Sequence, residues 1–337
     1  MVKVVVDAMG GDEPPETVLK GIELALEADK ELTVVVAGGA DVVEPFCKEH
    51  DRTEPLVTTE VIAMDEHPAQ AVRAKRDSSI VRGCKAVAGG EADAFFSAGS
   101  TGAILTAATL YVKRLKGVSR PCLAAVLPGL DGHQTVVGDL GANADCRPEM
   151  IVQFAEMCGA LAKVEAGCSH EPSVGLLSNG TEDTKGSEQS QTYFRALTEA
   201  AEQGAVAFAG NCEGKDLLCG DYDVIVADGF TGNVALKSME GTAKYIAGQL
   251  KAAAKRSPLN AIGALLIKGE FARIAEDLSG DKHGGAVLLG LRAPVLVGHG
   301  KTSPQAVKNG TLAAVRCVNE GLTSHVAAAC APTGAEQ

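Results

Sequence analysis

Tryptophan is absent from the 337-residue chain, and aromatic residues make up only 4% of it. Such a chain lacks the stacking platforms that single-stranded nucleic acids or sugars usually require. Positive charge is also scarce: Lys+Arg total 31 against Asp+Glu 43, a net charge of −12. Non-specific nucleic-acid binding needs clustered cations, so that role is excluded as a working reading. An acidic partner would have to be met by a local basic patch. No apolar run approaches the roughly 20 residues that span a bilayer. The ten cysteines form no Cys-x-x-Cys, and none stands with histidine at zinc-finger spacing. Met1 to Asp7 runs straight into folded-looking sequence, so no signal peptide is expected. The cysteines read as reduced thiols of a cytosolic protein. A catalytic cysteine stays open, although none sits in a distinctive motif.

Glycine is abundant, at 39 residues, and hydrophobic residues reach 46%. The apolar runs are short, β-branched and often end in Gly, Asp or Ser. They include Val4 to Asp7, Leu32 to Gly39, Ala94 to Gly99, Thr135 to Asp139, Val174 to Ser178, Val206 to Gly210 and Val224 to Asp228. Continuous rather than alternating apolarity predicts strands buried on both faces of a largely parallel sheet. Helical spacing lies between them, over Pro15 to Glu27, Pro148 to Lys163 and Gln189 to Gln203. Alternating strands and helices predict a layered α/β fold, with ligands beyond the carboxyl ends of the strands. Residues 1–330 are expected to form a single α/β domain and 331–337 a flexible tail. A helical hairpin is expected over about 241–276, interrupted at Ser257-Pro258. Its apolar residues Ile262, Leu265, Leu266 and Ile267 stand near Lys251, Lys255, Arg256 and Lys268. That pattern suits packing on the sheet or a dimer partner, or contact with a membrane surface.

The glycine-rich clusters follow the strands. Asp7 to Asp12 contains Gly10 and Gly11, which let backbone approach a ligand closely. Ser97 to Ala103 offers Ser100, Thr101 and Gly102 at a helix start, where either an anion or a simple cap would account for them. Gly138 to Asn143 either orients substrate or merely turns. Asn179 to Gly186 combines Thr181, two acids and Lys185, a residue suited to a developing oxyanion or to pairing with Glu182. Asp228 to Asn233 places Thr231, Gly232 and Asn233 at another helix start. Gly298 to Ser303 imitates a P-loop, but Val295 occupies the position where its first glycine is required, so ATP binding there is rejected. No G-x-G-x-x-G is present. Arg73, Lys75 and Arg76 belong to one basic segment and Lys113 to Arg120 to a second. Each reads as a solvated face or as a patch for an acidic partner.

Taken in order, these motifs resemble the bacterial acyl-carrier-protein:phosphate acyltransferases of phospholipid synthesis. The matching stretches are Val6 to Asp12, Ala71 to Ser79, Ser97 to Ala103, Gly180 to Gly186, Asp228 to Asn233, His283 to Ala286 and Ala293 to Val295. The resemblance implies a three-layer α/β/α sandwich related to isocitrate and isopropylmalate dehydrogenases, with a protruding hairpin. It implies a homodimer that associates peripherally with the inner face of the membrane and needs no cofactor or metal. It also implies the reaction: inorganic phosphate attacks a fatty acyl thioester on acyl carrier protein. Lys185 and Asn233 match positions expected to be catalytic. Gly10, Gly11, Asp12, Ser100, Thr101, Gly102, Asn143, Thr181, Thr231 and Gly232 are the expected phosphate and substrate contacts. Arg73, Lys75 and Arg76 would receive the carrier protein, and Ile262, Leu265, Leu266 and Ile267 the membrane. Phosphate is already partly dianionic near neutral pH, and a thiolate of pKa about 8.5 leaves readily, so positioning and electrostatics suffice. Two other enzymes fit the same architecture: a phosphotransacetylase acting on acyl-coenzyme A, and a dehydrogenase, which the absent dinucleotide loop disfavours. A non-catalytic carrier-protein or membrane scaffold is a further alternative, disfavoured by the number of anion-friendly loops.

Overall fold

The computed structural model describes residues 1–278 and 284–331. Residues 332–337 of the expected 331–337 tail, and His283, lie outside the described residues. Among the described residues, eleven strands join in one sheet. They are β1 (Val2–Asp7), β2 (Leu32–Gly38), β3 (Thr53–Val57), β4 (Ala94–Ser97), β5 (Cys122–Pro128), β6 (Gln134–Gly138), β7 (Ser173–Leu177), β8 (Ala207–Cys212), β9 (Val224–Val226), β10 (Ala286–Leu289) and β11 (Val295–Val297). The helices are α1 (Glu16–Ala28), α2 (Ala40–Glu49), α3 (Pro68–Ala74), α4 (Ser79–Ala88), α5 (Thr101–Tyr111), α6 (Pro148–Glu165), α7 (Glu188–Glu202), α8 (Gly229–Ala254), α9 (Pro258–Leu278), α10 (Pro304–Asn319) and α11 (Leu322–Ala329).

The strand order is β3-β2-β1-β4-β11-β10-β5-β6-β9-β7-β8. The first five run parallel to one another, as do the last four. Between these sets the pairs β11–β10, β10–β5 and β5–β6 are antiparallel. Three reversals leave the two sets formally opposed. A right-handed twist of about 20–25° per strand, over the spacings from β4 to β9, rotates them by roughly 100–125°. The two sets therefore cross, and the loops at their carboxyl ends frame the candidate cleft.

Neighbouring strand residues feed different cores, because successive side chains point to opposite faces. Val4, Val6, Val34, Val36, Phe96, Val136, Val224 and Val226 join one buried cluster. Val5, Val35, Phe95, Val137 and Ile225 join the other. This is the physical basis of the unbroken apolar runs, and it produces a three-layer α/β/α sandwich. Helices α1, α6 and α10 bury Ile22, Phe154 and Val307 in the first core. Helices α4 and α5 bury Ile80 and Ile104 in the second, and the first turns of α8 add Leu236 and Met239.

The expected helices appear with ends shifted by a residue or two. The hairpin differs more: its first arm does not begin near Gly241 but is one helix from Gly229 to Ala254. Nothing between them ends the helix, because an isolated Gly241 disfavours helix by only about 1 kcal/mol. The break at Ser257-Pro258 is present. The Ser257 hydroxyl accepts the Asn260 N–H at 3.1 Å, and Pro258 opens α9. Among the described residues no helix is long and apolar enough to cross a membrane.

Candidate active site

One wall of the cleft is built on Asp7, at the end of β1. Its carboxylate accepts the Met9 N–H at 3.0 Å and the Ser97 hydroxyl at 2.7 Å. Ser97 in turn accepts the Gly99 N–H at 3.0 Å. Burial pushes the Asp7 carboxyl above the ordinary carboxylate range, while hydrogen bonds from Ser79 and Ser97 pull it back. A Cβ on Gly10 would stand 2.7 Å from the Gly99 nitrogen, so the two loops touch backbone to backbone. Gly11 takes φ +102°, and the Asp12 N–H donates to the Gly300 carbonyl at 2.8 Å. Ser100 is the N-cap residue of α5, yet its side chain makes no capping hydrogen bond. The N–H groups of Thr101, Gly102 and Ala103 are left without a side-chain cap, the usual setting for an anion. Thr101 and Asp12 are exposed.

The other wall is built on Asp139, which directly follows β6. This fully buried carboxylate accepts the N–H groups of Leu123, Gly141, Ala142 and Asn143 at 2.7–3.2 Å, and the Asn143 amide at 2.9 Å. Burial pushes it up as well, and those hydrogen bonds hold it down. Asn143 also donates to the Pro121 carbonyl at 2.8 Å, so its side chain braces the turn. The glycines of the Asp228 to Asn233 loop are explained by this turn. A Cβ on Gly229 would lie 2.6 Å from the Asn143 carbonyl oxygen, and one on Gly232 would collide with the Asp139 carbonyl oxygen. Asp228 caps α8, accepting both the N–H and the hydroxyl of Thr231 at 2.8 and 2.9 Å. The donors of that loop are thus largely engaged in its own cap. Asn233 is exposed, with its amide above Gly141.

Lys185 sits on the loop after β7, next to β9 in the sheet. Its stem lies over Gly180, and its ammonium is 3.9 Å from Glu182. The side chain is 48% exposed, so that pair holds it only weakly. Thr181 is exposed beside it. The two walls are linked by α8. Seven residues of helix, about 10 Å, separate Asn233 from Glu240. The Glu240 carboxylate is 3.9 Å from His299, one residue from the carbonyl that receives Asp12.

A cavity of about 1160 Å³ continues from His299 and Lys301 between α8 and α9. Ile246, Leu250, Leu265 and Ile267 line it, with Lys244, Lys251 and Lys268 among the residues around them. The four hairpin residues divide. Leu265 and Ile267 line this groove, whereas Ile262 and Leu266 do not, and Leu266 is 81% exposed. Of the basic trio, Lys75 is tied to Glu66 at 2.6 Å and to the Val61 carbonyl. Arg73 and Arg76 are exposed. They follow Pro68, which packs against Gly102 at the uncapped end of α5.

Sequence reasoning missed Asp139, whose role depends on amides from two segments. It also set aside His299 and Lys301 with the rejected P-loop. Their position directly after an apolar strand was the available signal.

The fold is shared with acyl-transferring and dehydrogenase proteins. A phosphotransacetylase from Streptococcus pyogenes superposes with a TM-score of 0.61 at 17% identity, covering 94% of each chain. A putative 4-hydroxythreonine-4-phosphate dehydrogenase from Salmonella typhimurium gives 0.51 at 12% identity, over 94% of this chain and all of the other. The architecture is thus the α/β/α fold that these solved structures share. Residues 2–325 match the profile of the family described as fatty acid synthesis protein. Curated phosphate acyltransferases from Lysinibacillus sphaericus and Levilactobacillus brevis are 44% and 43% identical. The matches cover 90% and 96% of this chain, and 91% and 93% of those proteins. The chain belongs to the phosphate acyltransferase family.

Proposed function

We propose that the enzyme moves a long-chain fatty acyl group from acyl carrier protein to inorganic phosphate. The carrying observation is the apolar groove between α8 and α9, which opens beside the cleft at His299 and Lys301. A short acyl group does not need it, since its volume of about 1160 Å³ exceeds the roughly 300–1,000 Å³ of pockets that enclose whole small ligands. Phosphate binds at the uncapped start of α5, near Gly10, Gly11 and Gly102. A phosphate oxygen attacks the thioester carbonyl carbon. Lys185 and the Asn233 amide stabilise the developing oxyanion. The carbon–sulfur bond breaks, the thiolate takes a proton from solvent, and acyl phosphate remains.

Arg73 and Arg76 receive the acidic carrier protein by complementary potential. Leu259, Ile262 and Leu266 follow i, i+3, i+7 spacing on α9 and form the face that meets the inner membrane surface. The working unit is a cytoplasmic homodimer, and residues 1–330 act as one domain. The test is direct. The purified protein is incubated with phosphate and either palmitoyl-acyl carrier protein or acetyl-coenzyme A, and acyl phosphate is trapped as hydroxamate. Product from the first substrate is expected. Turnover of acetyl-coenzyme A alone favours the phosphotransacetylase alternative, and no turnover of either favours the scaffold.

A further inference from the structure

Away from the cleft, at the amino ends of β7 and β9, the fold gathers residues that are distant in sequence. Cys168 and His170 lie on the α6–β7 connection, Asp223 precedes β9, and His133 precedes β6. One donor atom each from Cys168, His170 and Asp223 falls within 4.8 Å of the others. The Cys168 sulfur is 3.6 and 3.7 Å from the two ring nitrogens of His170. His170 Nε2 is 3.0 Å from Asp223 Oδ2, and His133 Nε2 is 3.7 Å from Asp223 Oδ1. Metal–sulfur bonds of about 2.3 Å and metal–nitrogen or –oxygen bonds of about 2.0–2.1 Å set tetrahedral donors roughly 3.3–3.6 Å apart. The observed separations bracket that spacing.

Two further observations point to a ligand. His133 Nε2 is shielded from solvent with no hydrogen-bond partner, although the side chain is 37% exposed, and such an atom ordinarily needs compensation. Asp223 is also fixed as metal-binding carboxylates usually are. Its Oδ2 accepts the Ser173 N–H and hydroxyl, both at 2.8 Å, which leaves Oδ1 facing His133.

We propose that Cys168, His170 and Asp223, with His133 behind Asp223 Oδ1, form a binding site for a thiophilic divalent cation, zinc by its donor set of thiolate, imidazole and carboxylate. On binding, the Cys168 thiol releases its proton to solvent. The ion ties the α6–β7 connection to the start of β9. It lies at the strand ends opposite those that carry Lys185 and Asn233, so it acts as a clip rather than in acyl transfer.

The test uses the full-length protein stripped of metal and titrated with Co²⁺ as an optical probe, then with Zn²⁺. One equivalent of Co²⁺ is expected to give a thiolate-to-metal absorption band, which Zn²⁺ abolishes by displacement. Cys168→Ser and His170→Ala are expected to weaken binding by more than about 100-fold, and His133→Ala by about 10-fold. Lys185→Ala is expected to bind as the parent does. Zinc should raise the melting temperature of the parent but not of Cys168→Ser. Far-UV circular dichroism checks that each variant is folded. Absence of the thiolate band, or equal Co²⁺ affinity in the parent and folded Cys168→Ser, overturns the proposal. In that case His170 and Asp223 form an ordinary ion pair.

Discussion

The two walls of the cleft solve the same local problem in opposite ways. Each begins with an aspartate at the end of a buried strand, Asp7 or Asp139, whose carboxylate is held by neighbouring donors. Each leads to glycines packed backbone on backbone. They differ at the start of the helix whose loop packs on each: α5, after β4, on the first wall and α8, after β9, on the second. On the second wall, Asp228 caps α8 and takes the Thr231 donors. On the first, α5 starts with no side-chain cap. A capped helix start is internally satisfied, whereas an uncapped one has N–H groups to offer an anion. In the function we propose, phosphate occupies the α5 wall and the second wall presents Lys185 and Asn233.

The largest expected effect comes from removing what the second wall presents. Lys185→Ala and Asn233→Ala should each lower acyl phosphate formation by about 10²–10³-fold. Both should leave the melting temperature close to that of the parent, because both side chains are exposed. Near-parental rates in both variants would remove these residues from the mechanism.

The next experiment exchanges the caps. Ser100→Asp gives α5 the carboxylate it lacks and should raise KM for phosphate about tenfold, since a fixed negative charge then competes at the helix start. Asp228→Ala should instead lower stability by about 1 kcal/mol in urea unfolding. Its KM for phosphate should stay near the parental value. If the two responses were interchanged, the assignment of phosphate would move to the second wall.

The groove and its outer face can be separated in the same manner. Leu265→Glu should raise KM for a palmitoyl substrate about tenfold relative to a short acyl group, because an acyl chain in the groove would cover the 71%-exposed Leu265 and gain about half or more of the roughly 1.5–3 kcal/mol of full burial. Leu266→Glu should reduce co-sedimentation with anionic vesicles and leave turnover in solution intact. Dissociation or unfolding of either variant would mean that the hairpin serves packing instead.

The smallest effect is expected in α6, beneath the second strand set. Burial pushes the Glu156 carboxyl up to about 7, against 4.5 ordinarily. A raised carboxylate pKa means that the native state binds the extra proton between those values. Stability therefore falls as pH rises from 4.5 to 7. Glu156→Gln should gain about 1–2 kcal/mol at pH 8, allowing for partial solvent screening, and nothing at pH 4. Thermal melts at the two pH values measure the difference. An equal gain at both would show that burial of charge is not the cause.

Much of the molecule was legible along the chain. The runs Val4 to Asp7 and Val224 to Asp228 announced strands with two covered faces, because unbroken apolarity has no other economical use. The Ser257-Pro258 break was read correctly from cap chemistry alone. The strands β10 and β11 were not, since Ala286–Leu289 and Val295–Val297 are too short to carry a period. Their antiparallel insertion decides the angle between the two strand sets.

The sequence by itself determined the strand-ending glycine loops, the family, and the residue types available for phosphate chemistry. These depend on local backbone freedom and on contiguous motifs. Only the tertiary structure decided how those residues are grouped. It engaged Thr231 and Asn143 in bracing, left the start of α5 uncapped, tied Lys75 to Glu66, and divided the hairpin leucines between groove and solvent. Each outcome depends on which distant backbone donor or apolar surface lies within a few ångströms. That proximity is set by strand order and twist rather than by neighbours in the chain.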